Sequence, residues 1–389
     1  MINFTKLLGS KPTVSAALKA VSKKRKNPLF ISCNASSPLV VFNLTRRCNL
    51  ECRHCYLESQ NINYKNELST PQIKKVIDSL AKIDIPVLLF SGGEPLVHKD
   101  ILPLIEYAKA RKIRVGISTN GTLISKVLAK KLARAEIDYV GVSIDGGKSL
   151  HDRFRKIKGA YDMAIKGIIN AQEAGLKTGV RFTITRVNAP DLASVLDLCI
   201  REKIPRFCMY HLVYSGRGKG IADIDIDNKT RRKVVAFLVK RALEYNKKKY
   251  DFEILTVDNH ADGIYIYNYL KKRKPQVAAE VLKLLKFHGG CSAGSKIADI
   301  SPTGDVFACQ FWQQEATGNI RNTDFSNLWL NKEDKSLCRL RSKASNLLGK
   351  CGRCRYKSYC GGCRIRALVV YNDLWQEDPC CYLTENEIK

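Results

Sequence analysis

No apolar run in the chain approaches the roughly 18 to 20 residues that span a bilayer. Between Met1 and Lys26 the apolar residues are broken by Lys6, Lys11 and Lys19, so a signal-peptide core is missing as well. The two absences predict a cytoplasmic protein with no membrane span. Acidic residues are in short supply, 37 against 66 Lys plus Arg, which leaves a formal net charge of +29. Such an excess suits a nucleic-acid binder, a membrane-surface protein or an enzyme for an anionic substrate. The basic residues are spread along the whole chain, however, so solvated Lys-rich helix faces account for them equally well and charge alone names no partner. Internal repeats and long low-complexity segments are also lacking. Core material is not: 389 residues that are 45% hydrophobic and 26% charged exclude a disordered chain. At roughly 150 residues per domain, two or three structural units are expected.

Residues 56–198 contain no cysteine, yet the chain holds 15, gathered into clusters. An odd, clustered set in a chain without a secretion signal argues against a disulfide framework and for metal or redox chemistry.

Through the first 215 residues, β-rich runs alternate with stretches of helical period. Strands are predicted over 40–44, 87–90, 115–118, 139–144, 178–185 and 207–214, and helices over 70–82, 100–111, 125–135, 161–174 and 191–202. Ser69-Thr70-Pro71 opens one helix and Gly175 closes another. Repeated strand–helix units imply an α/β fold with a parallel sheet and right-handed crossovers. Six units are too few for a closed eight-stranded barrel but enough for an open, partial (β/α)6 barrel. In the fourth strand Val140, Val142 and Ile144 oppose Tyr139, Gly141, Ser143 and Asp145; in the fifth, Phe182 and Ile184 oppose Arg181, Thr183 and Thr185. Parallel strands covered on both faces read as continuous apolar runs. These polar and small faces instead predict a lumen that holds a ligand. The expected organisation is a basic N-terminal extension over 1–37, the partial barrel over 38–225, a Lys-rich helical bridging segment over 226–288 with a strand at 252–257, and a cysteine-rich domain over 289–389. In the last, 300–307 reads as a hairpin turning at Pro302-Thr303-Gly304-Asp305.

At the end of the first strand stands Cys48-Asn49-Leu50-Glu51-Cys52-Arg53-His54-Cys55-Tyr56. Three thiolates from one loop can hold three irons of a [4Fe–4S] cube and leave the fourth open to a substrate or cofactor. Zinc wants four tetrahedral ligands, and ferredoxin runs supply four cysteines. His54 is expected to point outward, away from the metal.

This loop resembles that of the radical S-adenosylmethionine (SAM) enzymes. Ser91-Gly92-Gly93-Glu94-Pro95 is similar to that superfamily's GGEP motif, whose glycines let the backbone approach the SAM amino group while Glu94 adds an acceptor. Ser118-Thr119-Asn120-Gly121 and Ser143-Ile144-Asp145-Gly146 follow the third and fourth strands, and His151-Asp152-Arg153-Phe154-Arg155 matches a stretch whose last Arg meets the SAM carboxylate. The resemblance thus implies cofactor contacts from Tyr56, Gly92, Gly93, Glu94, Pro95, Ser118, Asn120, Ser143 and Arg155. It covers about residues 38–215, and the motifs sit at strand C-terminal ends, where open α/β sheets bind ligands.

Cys291-x12-Gly304-x4-Cys309 is followed by Cys351-x2-Cys354-x5-Cys360-x2-Cys363 and then Cys380-Cys381. A zinc ribbon would put roughly 15 to 20 residues between its C-x2-C knuckles. The pattern is similar to the SPASM extension of radical SAM enzymes, which binds auxiliary [4Fe–4S] clusters. That resemblance assigns Cys351, Cys354 and Cys360, with Cys380 or Cys381, to one cluster and Cys291, Cys309 and Cys363 to another. The final spacing is x2 where the commonest pattern has x3, so one auxiliary cluster or two remain open alternatives. Cys33, Cys199, Cys208 and Cys338 read as small buried hydrophobes, with Cys338 a stray ligand as the alternative.

Val40–Cys48, the loop Leu212–Gly218 and Ile300–Trp312 also resemble the subgroup that modifies tetrapyrrole side chains, the 12,18-didecarboxysiroheme deacetylases and the NirJ-type haem d1 synthesis proteins. The implied enzyme cleaves SAM reductively and uses a 5′-deoxyadenosyl radical to abstract hydrogen from an anionic iron tetrapyrrole. Its cluster needs a one-electron donor of the ferredoxin or flavodoxin kind. Tyr210, His211 and Tyr214, at the sixth strand's end, are catalytic candidates, with simple packing as the alternative. Arg217, in the Gly-flanked loop beyond, is expected to hold a substrate carboxylate. A SPASM maturase of a ribosomally made peptide is the alternative function, but only about 38 residues precede the first strand, too few for a leader-binding domain. A zinc-dependent nucleic-acid protein would explain the charge and the C-x2-C pairs, but not the three-cysteine loop or the lack of aromatics among the basic runs. No nucleic-acid partner is expected.

Overall fold

The computed structural model describes residues 1–9 and 37–389. Their strands are β1 (Ile2–Asn3), β2 (Leu39–Asn43), β3 (Leu88–Ser91), β4 (Val115–Thr119), β5 (Tyr139–Ser143), β6 (Thr178–Ile184), β7 (Arg206–His211), β8 (Glu253–Val257), β9 (Ile297–Ile300), β10 (Asp305–Phe307) and β11 (Ala316–Asn319). All belong to one sheet in the order β1-β8-β7-β6-β5-β4-β3-β2-β9-β10-β11. From β2 to β8 each strand pairs in parallel with the next, and β9 pairs in parallel with the other edge of β2. The result is a partial barrel of the radical SAM type, extended at both edges.

Local sequence explains the crossovers. Helix Thr70–Lys82 starts where Ser69 and Gln72 form a capping box and Pro71 occupies the first turn. Helix Ala160–Glu173 stops before Gly175, which takes φ of +80° without the steric cost a Cβ would bring. Val140, Val142, Ile144, Phe182 and Ile184 are wholly buried in the hydrophobic core. The opposite face stays open. Gly141 on β5 pairs with Gly179 on β6, and this gap admits the side chains of Tyr139 and Arg181. The lumen predicted from strand alternation is therefore a property of the sheet's inner face.

The sheet crosses boundaries drawn from sequence. Residues 1–37 were expected to precede it, yet Ile2 pairs with Thr256 and Asn3 with Leu255, antiparallel to β8, while Phe4 and Leu7 are buried. β8 would otherwise present an unpaired edge, and β1 covers it. Cys33 and the rest of the basic stretch, 10–36, lie outside the described residues. Segment 226–288 does more than bridge, because β8 is a full parallel member of the sheet next to β7. The cysteine-rich region likewise enters the sheet through β9 and the β9–β10 hairpin. No helix among the described residues is long and apolar enough to cross a membrane.

Candidate functional site

The loop after β2 turns Cys48, Cys52 and Cys55 into a cavity of about 140 Å³ at the C-terminal end of the sheet. Tyr56, Ser91, Gly92, Gly93, Ser118, Asn120, Ser143, Arg155, Tyr210 and His211 share its wall, so residues from five strand ends converge there. The thiols are buried or half-buried, and burial pushes Cys48 up to about 12. Such thiols bind iron as thiolates and release their protons to solvent. Among the described residues no three His, Cys, Asp or Glu side chains are close enough to hold a single metal ion. Zinc would need four donors about 2.0 to 2.3 Å from one point, whereas corner ligands of a cube stand further apart.

Gly92 and Gly93, besides lining the cavity, are required by packing inside the chain. A Cβ on Gly92 would lie 2.4 Å from Thr45 O, and one on Gly93 would lie 2.3 Å from Arg47 O. The glycines let the β3 turn press against the backbone leading into Cys48, tied by Gly93 N to Thr45 O at 2.7 Å and Glu94 N to Arg47 O at 2.9 Å. Glu94 is fully buried, and neither it nor Pro95 lines the cavity. Its carboxylate accepts from Thr119 Oγ1 (2.7 Å), Asn120 N (2.8 Å) and Leu96 N (3.1 Å), which locks the end of β4 to the turn. Burial raises its pKa to about 7 despite these bonds.

Asn120 Nδ2 donates to Asn49 Oδ1 at 2.8 Å and so fixes the cysteine loop to β4. Arg155 forms a buried ion pair with Asp145, and its Nη1 lies 3.3 Å from Cys52 Sγ. Asp145 therefore orients the guanidinium that, among the described residues, touches the loop's sulfur, a role the Ser143–Gly146 motif contained but did not reveal. Tyr56 donates its hydroxyl to Asn43 Oδ1 at 2.8 Å, and its ring meets Phe311 edge-on at 5.6 Å. His54, expected to face outward, turns in: its ring lies 5.2 Å from Phe154, and Nε2 is 3.8 Å from Asp145. Burial lowers its pKa to about 4, so it stays neutral beside Arg155.

The residues after β7 separate into different tasks. Tyr210 lines the lumen. His211 is sealed in, with Nε2 2.9 Å from Asp262. Tyr214 donates to Asp225 at 2.8 Å and lies 3.6 Å from Cys380 Sγ. Arg217 does not reach out for a substrate carboxylate. Its Nε donates to Cys52 O at 2.8 Å, and both terminal nitrogens donate to Ser59 O at 3.1 Å. Gly216, at φ of +53°, lies so close to this loop that a Cβ would stand 2.4 Å from Tyr56 O. The Gly216–Arg217 pair thus clamps the cysteine loop from behind. Hydrogen bonds from a charged donor contribute roughly 1.5 to 3 kcal/mol, and 1.4 kcal/mol is about tenfold in an equilibrium. Arg217→Ala is expected to speed iron loss to a ferrous chelator at least tenfold. An unchanged rate would refute the clamp.

The C-terminal cysteines fall into two groups. Cys351, Cys354, Cys360 and Cys381 surround one small cavity, and Cys291, Cys309 and Cys363 line another of about 230 Å³ facing the lumen. Cys380 turns elsewhere, 3.5 Å from Asp225 Oδ2. Cys338 lines neither cavity, while Cys199 is a fully buried core residue. Asp378 binds the two groups together. Its backbone N donates to Cys351 Sγ at 3.4 Å, and its carboxylate accepts from Cys363 N at 2.7 Å and from Arg366 at 2.8 Å. Spacing gave no sign of this, because it says nothing of the residues between Cys363 and Cys380, where Asp378 stands. Cys381→Ala is expected to lower bound iron by about four per chain and Cys380→Ala to leave it unchanged, as read by iron analysis; the reverse result would exchange their roles.

Comparison with known proteins agrees with this geometry. The Radical SAM superfamily model matches residues 42–199, and an iron-sulfur cluster-binding domain model, SPASM, matches 291–355. The chain is 43% identical to an Fe-coproporphyrin III synthase from Methanosarcina barkeri, covering 100% of this chain and 99% of the relative. It is 39% identical to a pre-heme d1 synthase from Dinoroseobacter shibae, over 92% and 90% of the two chains. The crystal structure of Streptococcus suis SuiB bound to S-adenosylmethionine shares the fold, with a TM-score of 0.71 at 20% identity over 90% of this chain and 79% of that one. Similarity that runs from end to end, over a partial barrel whose strand ends gather three cysteines, makes this chain a SPASM-containing member of the radical SAM superfamily.

Proposed function

We propose that the chain removes acetate side chains from 12,18-didecarboxysiroheme to give an iron coproporphyrin. The observation that carries this reading is the 43% identity, over the entire chain, to a protein named Fe-coproporphyrin III synthase. In this reading Cys48, Cys52 and Cys55 hold the catalytic [4Fe–4S] cluster by three irons, and the remaining iron binds SAM. When bound, cluster and SAM together supply the hydrogen-abstracting power of a 5′-deoxyadenosyl radical. The chain's own groups orient and enclose. Asn120, Ser143, Arg155 and the Gly92–Gly93 backbone receive the methionyl end of SAM, with Arg155 held in position by Asp145. Tyr56 and Phe311 close the wall between this cavity and a larger outer one of about 490 Å³. In this reading the two cysteine groups would hold two auxiliary clusters, one by four thiolates and one by three. A ferredoxin- or flavodoxin-type donor supplies electrons.

The test is an anaerobic incubation of the holoenzyme with 12,18-didecarboxysiroheme, SAM and a reductant, followed by mass spectrometry. Loss of the ring acetates together with 5′-deoxyadenosine is the expected result. Unaltered macrocycle with continuing 5′-deoxyadenosine release would refute the substrate.

A further inference from the structure

We propose that Arg181 is the anchor for a carboxylate side chain of the substrate inside the lumen; the proposal rests on the tetrapyrrole reading above. Arg181 stands on the inner face of β6 and lines three connected spaces. These are the 140 Å³ cavity with Cys48, Cys52 and Cys55, the 230 Å³ cavity with Cys291, Cys309 and Cys363, and a 300 Å³ apolar space below them. It is the charged residue that all three share with Tyr210.

The other enclosed arginines have partners. Arg155 faces Asp145, Arg206 faces Glu253, Arg231 faces Asp225 and Arg366 faces Asp378, while Arg364, which has no carboxylate, donates to the carbonyls of Leu374 and Gln376. Among the described residues no carboxylate pairs with Arg181; its neighbour is the Tyr210 ring, 4.7 Å below the guanidinium. Asp258, whose Oδ2 is buried without a hydrogen-bond partner, faces the same space but makes no ion pair with it. A guanidinium cannot shed its proton, and with Asp258 acting on it only at a distance, an enclosed charge without a directly bonded counter-ion is costly to fold. Such a group is retained where a ligand completes it. The ligand whose shape fits the fork is a carboxylate, bound by two parallel hydrogen bonds.

The sheet is also shaped for this side chain. A Cβ on Gly141 would lie 3.0 Å from Arg181 Cδ and 3.1 Å from the Tyr139 ring, so β5 is kept bare where the arginine stem crosses it. The cation–π contact with Tyr210, 4.7 Å from Arg181 Cζ to the ring centroid, steadies the guanidinium. A substrate carboxylate held there lies between the three-cysteine loop and the nearer auxiliary cysteines.

The probes are iron coproporphyrin III and its neutral tetra-amide, titrated anaerobically against iron-replete holoenzyme by visible absorbance. Wild type is expected to prefer the acid at least tenfold. Arg181→Gln should bind acid and amide alike, with iron content and SAM affinity equal to wild type. Arg181→Lys, which keeps the charge and the bulk but loses the fork, should show an intermediate preference. Undiminished preference in both variants would overturn the anchor and leave the tetrapyrrole reading standing. Loss of SAM affinity in Arg181→Gln would overturn it too, by making the residue a SAM contact. Binding of neither macrocycle by wild type would bring down the tetrapyrrole reading and the anchor with it.

Discussion

Replacing Cys48, Cys52 and Cys55 together by Ala is expected to remove about four irons per chain and to abolish SAM cleavage, while the C-terminal cysteines keep their iron. The two sets draw on different walls: the loop cysteines line one cavity and the C-terminal groups line two others. The fold should survive. The loop is held by backbone bonds that need no thiol, Cys48 N to Gln60 O and Arg53 N to Phe154 O, both at 3.0 Å. Arg217 adds its three bonds to the loop's carbonyls. Iron analysis with electron paramagnetic resonance of the reduced protein reads the result. Equal iron in wild type and triple variant would sink the assignment of these cysteines.

The second large effect is expected at Gly93. Gly93→Val should abolish 5′-deoxyadenosine formation and also lower iron content and Tm. The added Cβ would meet Arg47 O at 2.3 Å and Arg46 O at 2.5 Å, both backbone atoms in the segment that leads into Cys48. Overpacking ordinarily costs about 1 to 3 kcal/mol. Here it also strains two backbone hydrogen bonds that pin the turn, each contributing about 1 kcal/mol. Because the clash is at Cβ itself, Gly93→Ala should be nearly as damaging as Gly93→Val. If Ala retained iron and SAM cleavage while Val lost only SAM binding, the residue would be guarding the SAM cavity instead of the cysteine loop.

Site residues were legible where a motif stood within a few residues of itself. C-x3-C-x2-C and the glycine-rich strand ends describe local chain, and the structure brings both to one cavity, whereas the split among the C-terminal cysteines was implied by the SPASM resemblance. Roles that depend on what lies opposite were not legible. Arg217 reads as a partner for a substrate carboxylate, but its partners are carbonyls at positions 52 and 59, over 150 residues away in sequence. Asp378 and Arg366 form a buried ion pair beneath the cysteines, which no cysteine spacing encodes.

The sequence by itself determined the alternation of strands and helices, since period and capping act over one turn or one strand. It also determined the polar inner face of β5 and β6 and the chemistry of the three-cysteine loop. Only the tertiary structure decided that residues 2–3 close the edge of β8, that β8 and β9 widen the sheet, and that Cys381, in place of Cys380, faces the four-cysteine cavity. The same holds for Arg181, which sequence put on the polar face and structure left without an ion pair among the described residues. The physical reason is common to these cases. Hydrogen bonding along a strand edge and the pairing of buried charges are settled between segments far apart in the chain, where local pattern carries no information about the partner.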